Sequence, residues 1–315
     1  MLNKLADYDD YRDESDQVVL QHLLESLTHF TWVYPGFTGE EAAEKLQSPR
    51  LHIMDMVLNK EHRSSLIGTL NALLQSAYNV RDLWSVDTWR VVDDIDENLQ
   101  YLSSNKTRFS VLQTELDSLL ASLMAFTAQT QESLPHEHGW YLLNIGRRLE
   151  RALQLITFVR TCFVRYSGEV PEHLMLEATL VNHESLITHR RRYRSVQHMF
   201  TVLDLMLLDT HHPRSLAYQV DKIMALMAEL PQLTPSHHLS REQRLILQAS
   251  TEIKLAEVEK LANISDEQGS RRSLAKLLDS VERRLEKVSE LLHQKYFTHT
   301  QSARQLAPTK LELPA

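Results

Sequence analysis

His138-Gly139-Trp140-Tyr141-Leu142-Leu143-Asn144-Ile145-Gly146-Arg147-Arg148-Leu149-Glu150-Arg151-Ala152 stands near the middle of a chain of 315 residues. Wound as a helix, this stretch and the residues after it set Leu142, Ile145, Leu149, Ala152, Leu153 and Ile156 on one side. Asn144, Arg147, Arg148 and Arg151 gather on the other. Glu150 follows Arg147 at the spacing where helical side chains meet. The pattern predicts a long buried helix with a polar cluster, one carboxylate standing among guanidinium groups.

Composition agrees with helices throughout. Seven glycines and nine prolines leave little material for the tight turns of β-rich or doubly wound folds, while 43% hydrophobic residues suffice for a large core. The one cysteine, Cys162, excludes an intrachain disulfide and a multi-cysteine metal site, and suits a reducing cytoplasm. The first residues carry Asp7, Asp9, Asp10, Asp13, Glu14 and Asp16 and no apolar core, unlike a signal peptide. No apolar run of about 18 residues marks a membrane span. A net charge of -8 argues against bulk nucleic-acid binding. The expected product is a cytoplasmic protein with no membrane or nucleic-acid partner.

Reading outward from the central helix, which is expected over residues 139–166, apolar spacing predicts helices on both sides. Upstream, Val18, Leu20, Leu23, Leu24, Leu27 and Phe30 form a run that Pro35 and Gly36 stop. A short helix is expected over 40–46, a long one from Ser64 or Ser65 to about Trp84, another from Val86, and a further one over 109–130. Downstream, helices are expected over 171–189, 196–208 and 213–230, then, after a loop at 231–238, a hairpin over 241–262 and 269–296. The fold class is therefore all-α, a multi-helix bundle with a C-terminal helical hairpin. Residues 1–17 form an acidic, flexible N-terminus, 18–297 the helical domain and 298–315 a disordered tail.

An internal duplication is also expected. Residues 58–66, Leu58-Asn59-Lys60-Glu61-His62-Arg63-Ser64-Ser65-Leu66, align without a gap to Leu208-Asp209-Thr210-His211-His212-Pro213-Arg214-Ser215-Leu216, with leucine, histidine, serine and leucine in register. Both copies precede an amphipathic helix. At the same offset, the counterpart of residues 146–152 falls at or before Met1.

With these residues in view, the chain resembles the alpha-E domain family, an all-helical bacterial family found alone or fused to circularly permuted ATP-grasp proteins. The blocks that carry the resemblance are Asp87-Thr88-Trp89-Arg90-Val91, Gly139-Trp140 with residues 145–152, residues 188–193, and Leu207-Leu208-Asp209 with Pro213-Arg214-Ser215. The resemblance implies an ATP-grasp ligase-like partner and a place in peptide synthesis or modification. The family usually opens with a helix bearing an earlier tryptophan, Gly-Arg and Glu-Arg-Ala. That helix is not found here, so a homodimer or an ATP-grasp partner is expected to supply it, unless the start is misplaced or the gene truncated.

For the cluster itself, arginine's planar fork suits a carboxylate or phosphate. Asn144, Arg147, Arg148, Arg151, Arg190 and Arg191 are the candidate ligand-binding residues, and Glu150 is the candidate acid–base group. Three readings stand. The first is an accessory binding module for an anionic or peptide ligand, the second a catalytic domain using Glu150 on a peptide-like substrate, and the third an ion-pair network that only fixes packing. The spacing of the sixteen histidines fits no metal site, and no cofactor is expected. His211-His212-Pro213 reads as a turn, the tryptophans as packing, and Cys162 as a buried, inert thiol.

Overall fold

The computed structural model describes residues 13–40, 42–104, 109–194, 197–231 and 238–297. The acidic residues before Asp13, the expected helix start at Val196, most of the 231–238 loop and the tail from residue 298 lie outside the described residues.

Among the described residues the chain is helical, with no strand, and no helix is long and apolar enough to cross a membrane. Helix α1, Glu14–Thr31, takes up the last of the acidic opening. Glu14 and Asp16 lie in its first turn, where negative charge meets the unpaired N–H groups. Its leucines Leu20, Leu23 and Leu24 are buried, and Trp32 ends it in a left-handed conformation, φ 53°.

A short turn, α2 (Ala42–Lys45), leads to α3 (Pro49–Leu58), α4 (Leu66–Asn79), α5 (Val86–Leu102) and α6 (Phe109–Glu132), each packed on the next from α3 onward by way of α3 on α4, α4 on α5 and α5 on α6. Helix α3 was not expected from the sequence. Its apolar residues do not hold one face: Ile53, Met56 and Val57 are buried while Leu51 is 69% exposed, so periodicity carries little signal.

Helix α7, His138–Phe163, is the axis of the second half. It packs against α1, α11 (Leu216–Ala228) and α14 (Arg272–Tyr296). The side predicted to be apolar is the buried one, with Ile145, Leu149, Ala152 and Ile156 in the core and Leu142 and Leu153 partly buried. Gly168, φ 113°, then turns the chain into α8, Glu169–Asn182, through a backbone region that L residues avoid.

The helix expected over 171–189 is in fact two. After α8 the chain breaks at His183-Glu184-Ser185 and restarts as α9, Leu186–Tyr193. Glu184 takes φ 53°, and the Ser185 amide reaches back to the Leu180 carbonyl at 2.7 Å. The Ser185 hydroxyl donates to the His183 carbonyl, so the break has its own hydrogen bonds and costs few unpaired groups.

Helix α10, Met199–Leu203, runs on as a π turn through Asp204–Leu208 and leads to α11. The first arm of the expected hairpin divides into α12, Arg241–Lys254, and α13, Val258–Ala262. Helices α12 and α14 pack along each other, α14 burying Leu274, Leu277, Leu278, Val281, Leu285, Val288 and Leu292 at helical spacing.

The two aligned nine-residue segments fold alike. Ser65 and Ser215 each cap the following helix, accepting from the amides of Gly68 and Tyr218 at 3.0 and 3.1 Å. Each hydroxyl also donates back across the turn, to the carbonyls of Asn59 and Asp209. In each, the serine amide donates to a histidine carbonyl, His62 or His212. The preceding helices, Pro49–Leu58 and the 199–208 segment, also correspond in length.

Candidate functional site

Two kinds of arginine share α7. Arg160 lies 2.8 Å from Asp279 and 2.7 Å from Glu282, both on α14. Burial alone would lower its pKa, but these two carboxylates carry it above the ordinary value. Arg160 therefore ties α7 to the hairpin. The buried Arg271 does similar work, 2.6 Å from Glu172 and donating to the carbonyls of Phe163 and Ala262.

Arg147, Arg148 and Arg151 have no such partners. Among the described residues no carboxylate pairs with any of them. Burial lowers the pKa of each, and the charges that add to the effect are other arginines: Arg151 and Arg148 upon Arg147, and Arg214 and Arg148 upon Arg151. For Arg148 burial is partly offset by the Tyr218 side chain, whose ring lies 5.6 Å from the guanidinium, and Arg148 also donates to Gln219. Arg147 donates at 2.6 Å to the buried Asn144, whose carbonyl also accepts from Gln131. Like charges held together without counter-charge are destabilising, and an arriving anion relieves them.

Beside this cluster lies a cavity of about 310 Å³ between α7, α8, α11 and the end of α1, small for a ligand pocket but within the usual range. Phe30, Leu155 and Phe158 form its apolar wall. Arg151, Gln154, Asn182, His183, Arg214 and Gln219 form its polar one. Arg214 pairs with the exposed Glu184, the one carboxylate joined to this wall among the described residues.

His183 and Asn182 reach the cavity because α8 stops there. The His183 Nδ1 donates to the Thr179 carbonyl at 3.0 Å, which leaves Nε2 as a bare acceptor. Burial pushes its pKa down to about 4, partly offset by that hydrogen bond, with Arg214 and His212 pushing the same way as burial. Asn182 is odder: both atoms of its side-chain amide are buried and neither has a partner. Such an unanswered amide is costly.

The expected site residues are thus only partly brought together. Arg147, Arg148 and Arg151 cluster, and Asn144 anchors Arg147. Glu150 is exposed, as Arg151 is, but unlike Arg151 it does not line the cavity, and it forms no ion pair with the guanidinium groups among the described residues. Arg190 and Arg191 are exposed at the end of α9 and do not line the cavity, while their neighbour Arg192 pairs with Asp209. Sequence reasoning did not select Gln154, Asn182, His183, Arg214 or Gln219. The break in α8 was the hidden signal, since Arg214 and His212 already stood out in the aligned turn.

Neighbouring groups offer no other chemistry. Ser185 and His212 approach to 2.8 Å, but Ser185 is fully buried and its proton goes to a carbonyl. Burial pushes the Cys162 thiol up to about 12, so it is inert. Trp84 and Trp89 pack at the rim of the core. Among the described residues no group of histidine, cysteine and carboxylates is arranged for a metal.

Comparison with known proteins assigns the family. A sequence profile described as Alpha-E, a predicted alpha-helical domain with a conserved ER motif, matches residues 2–297. The chain belongs to the Alpha-E family. Glu150-Arg151 is one of two Glu-Arg pairs in this chain, the other being Glu282-Arg283, and Arg151 lines the cavity. The uncharacterized protein Rv2567 of Mycobacterium tuberculosis is 28% identical over 285 residues, covering 89% of this chain and 32% of the relative. The uncharacterized protein Mb2597 of Mycobacterium bovis matches to the same extent. The chain therefore spans about a third of the length of these relatives. No solved structure matches.

Proposed function

We propose that this Alpha-E chain is a binding module that captures an anionic group in the cavity walled by Arg151 and Arg214, as an accessory to an ATP-grasp-linked system that forms or modifies amide bonds. The observation that carries the reading is the set of guanidinium groups, Arg147, Arg148 and Arg151, gathered and partly desolvated with no carboxylate against them among the described residues. A packing network would pair them, as Arg160 and Arg271 are paired. The ATP-grasp context rests on the family resemblance. That the chain matches only about a third of its relatives' length suits a module working beside other polypeptide. Acid–base catalysis by Glu150 gains no support, because that side chain is exposed and does not line the cavity.

Calorimetric titration of the full chain with inorganic phosphate and with acetate tests the reading. Binding should be lost in Arg151→Met and kept in Arg160→Met and Glu150→Gln. Equal binding by Arg151→Met and the unaltered protein would overturn it.

A further inference from the structure

We infer that the group captured is a carboxylate carried next to an amide, as in an N-acylated amino acid or the C-terminal residue of a peptide. The inference rests on the cavity being an anion site and asks what else it presents. Arg151 and Arg214 offer donors only, as any anion requires. His183 offers an acceptor, because its Nδ1 proton is committed to Thr179 and Nε2 has no partner among the described residues. Asn182 adds a carbonyl and an NH2 group, both unanswered.

Inorganic phosphate satisfies the arginines and can offer the two acceptors, on His183 and Asn182, only a P–OH, with no N–H and no carbonyl beside it. A ligand that carries a carboxylate, an N–H and a carbonyl close together answers the arginines, one of the two acceptors and the Asn182 NH2 group. A free α-amino acid has the carboxylate, but its ammonium would sit among guanidinium groups that already repel one another. Acylating that nitrogen removes the charge and supplies the missing N–H and C=O. An amide offers one donor and one acceptor, the complement of a primary amide such as Asn182. The wall of Phe30, Leu155 and Phe158 favours an apolar side chain on the bound residue.

Four probes separate the possibilities in calorimetric titration of the full chain: N-acetyl-leucine, leucine, N-acetyl-leucinamide and inorganic phosphate. N-acetyl-leucine should bind, with leucine and N-acetyl-leucinamide each weaker by about 10-fold or more, the effect of losing one good charged interaction. Asn182→Ala and His183→Phe should each weaken N-acetyl-leucine by about 10-fold, more than either changes phosphate binding. If leucine or the leucinamide matches N-acetyl-leucine, or if Asn182→Ala and His183→Phe leave its affinity unaltered, the inference fails. If phosphate binds and N-acetyl-leucine neither binds nor displaces it, the inference fails while the anion site survives. If neither N-acetyl-leucine nor phosphate binds, both fall together.

Discussion

Replacing Arg151 by Met should make the unliganded protein more stable, and replacing Arg160 by Met on the same helix should make it less so. Methionine keeps an unbranched stem of high helix propensity, so the change is chiefly one of charge. Arg151 is opposed by Arg214 and Arg148. At a site open to solvent each repulsion is worth about 0.3 kcal/mol, an exposed pair with the sign reversed. Removing two of them gains about 0.5 kcal/mol, a rise in Tm of about 0.8 °C for a chain of this size. Arg160 would leave Asp279 and Glu282 together. That loss is about 1 kcal/mol after allowing for screening, a fall of about 1.5 °C. Arg151→Lys is the control, keeping the charge and therefore the repulsion. Melting curves by circular dichroism at low ionic strength read these shifts, and salt should shrink them. Phosphate at about 100 times its Kd should add about 2.7 kcal/mol to the unaltered protein and nothing to Arg151→Met. If Arg151→Met instead melts lower, in step with Arg160→Met, and gains as much from phosphate as the unaltered chain, the cluster is packing and not a site.

Three other outcomes can be measured by denaturation. Arg271→Met should cost about 3 kcal/mol in urea, because it strands Glu172 and two carbonyls that Arg271 now serves; a loss under about 1 kcal/mol would show that the contacts do not hold the hairpin to α7. Ser65→Ala and Ser215→Ala should each cost about 1 kcal/mol, as both serines cap a helix in equivalent turns, and a marked inequality would mean the turns only look alike. Stability should fall as pH drops from about 6.5 toward 4, since the unfolded chain protonates His183 near its ordinary value whereas the folded chain resists until about 4. His189 and His212, also lowered chiefly by burial, add to that slope, and His183→Gln should flatten it; an unchanged slope in that variant would assign the effect to the other two.

Much of the bundle was readable because leucines at spacings of three and four have one physical meaning. The buried face of α7 and the long run from Leu274 to Leu292 in α14 both emerge as expected. Ser65 caps α4 as a serine before an apolar run should. Breaks were less readable. Neither His183-Glu184-Ser185 nor Leu255-Ala256-Glu257 contains glycine or proline, so nothing local marks them as ends; tertiary packing and a left-handed Glu184 do the work. The site suffered for the same reason. Arg147, Arg148 and Arg151 are near in sequence and were found together, but Arg214 and His183 meet them only through α11 and the broken end of α8. Glu150 illustrates the opposite error, since adjacency along a helix decides which residues can meet and not which of them do.

The left-handed residue that ends α8 has one further consequence. Glu184 both makes the break and pairs with Arg214 from outside the cavity, so that arginine already has a resident partner. On the proposed reading, a carboxylate ligand would share the Arg214 guanidinium with Glu184 or evict it, trading one ion pair for another instead of adding a new one. Binding at Arg214 would thereby be an exchange, with affinity held in check and release made easy, while Arg151, which has no such rival among the described residues, would provide the net attraction.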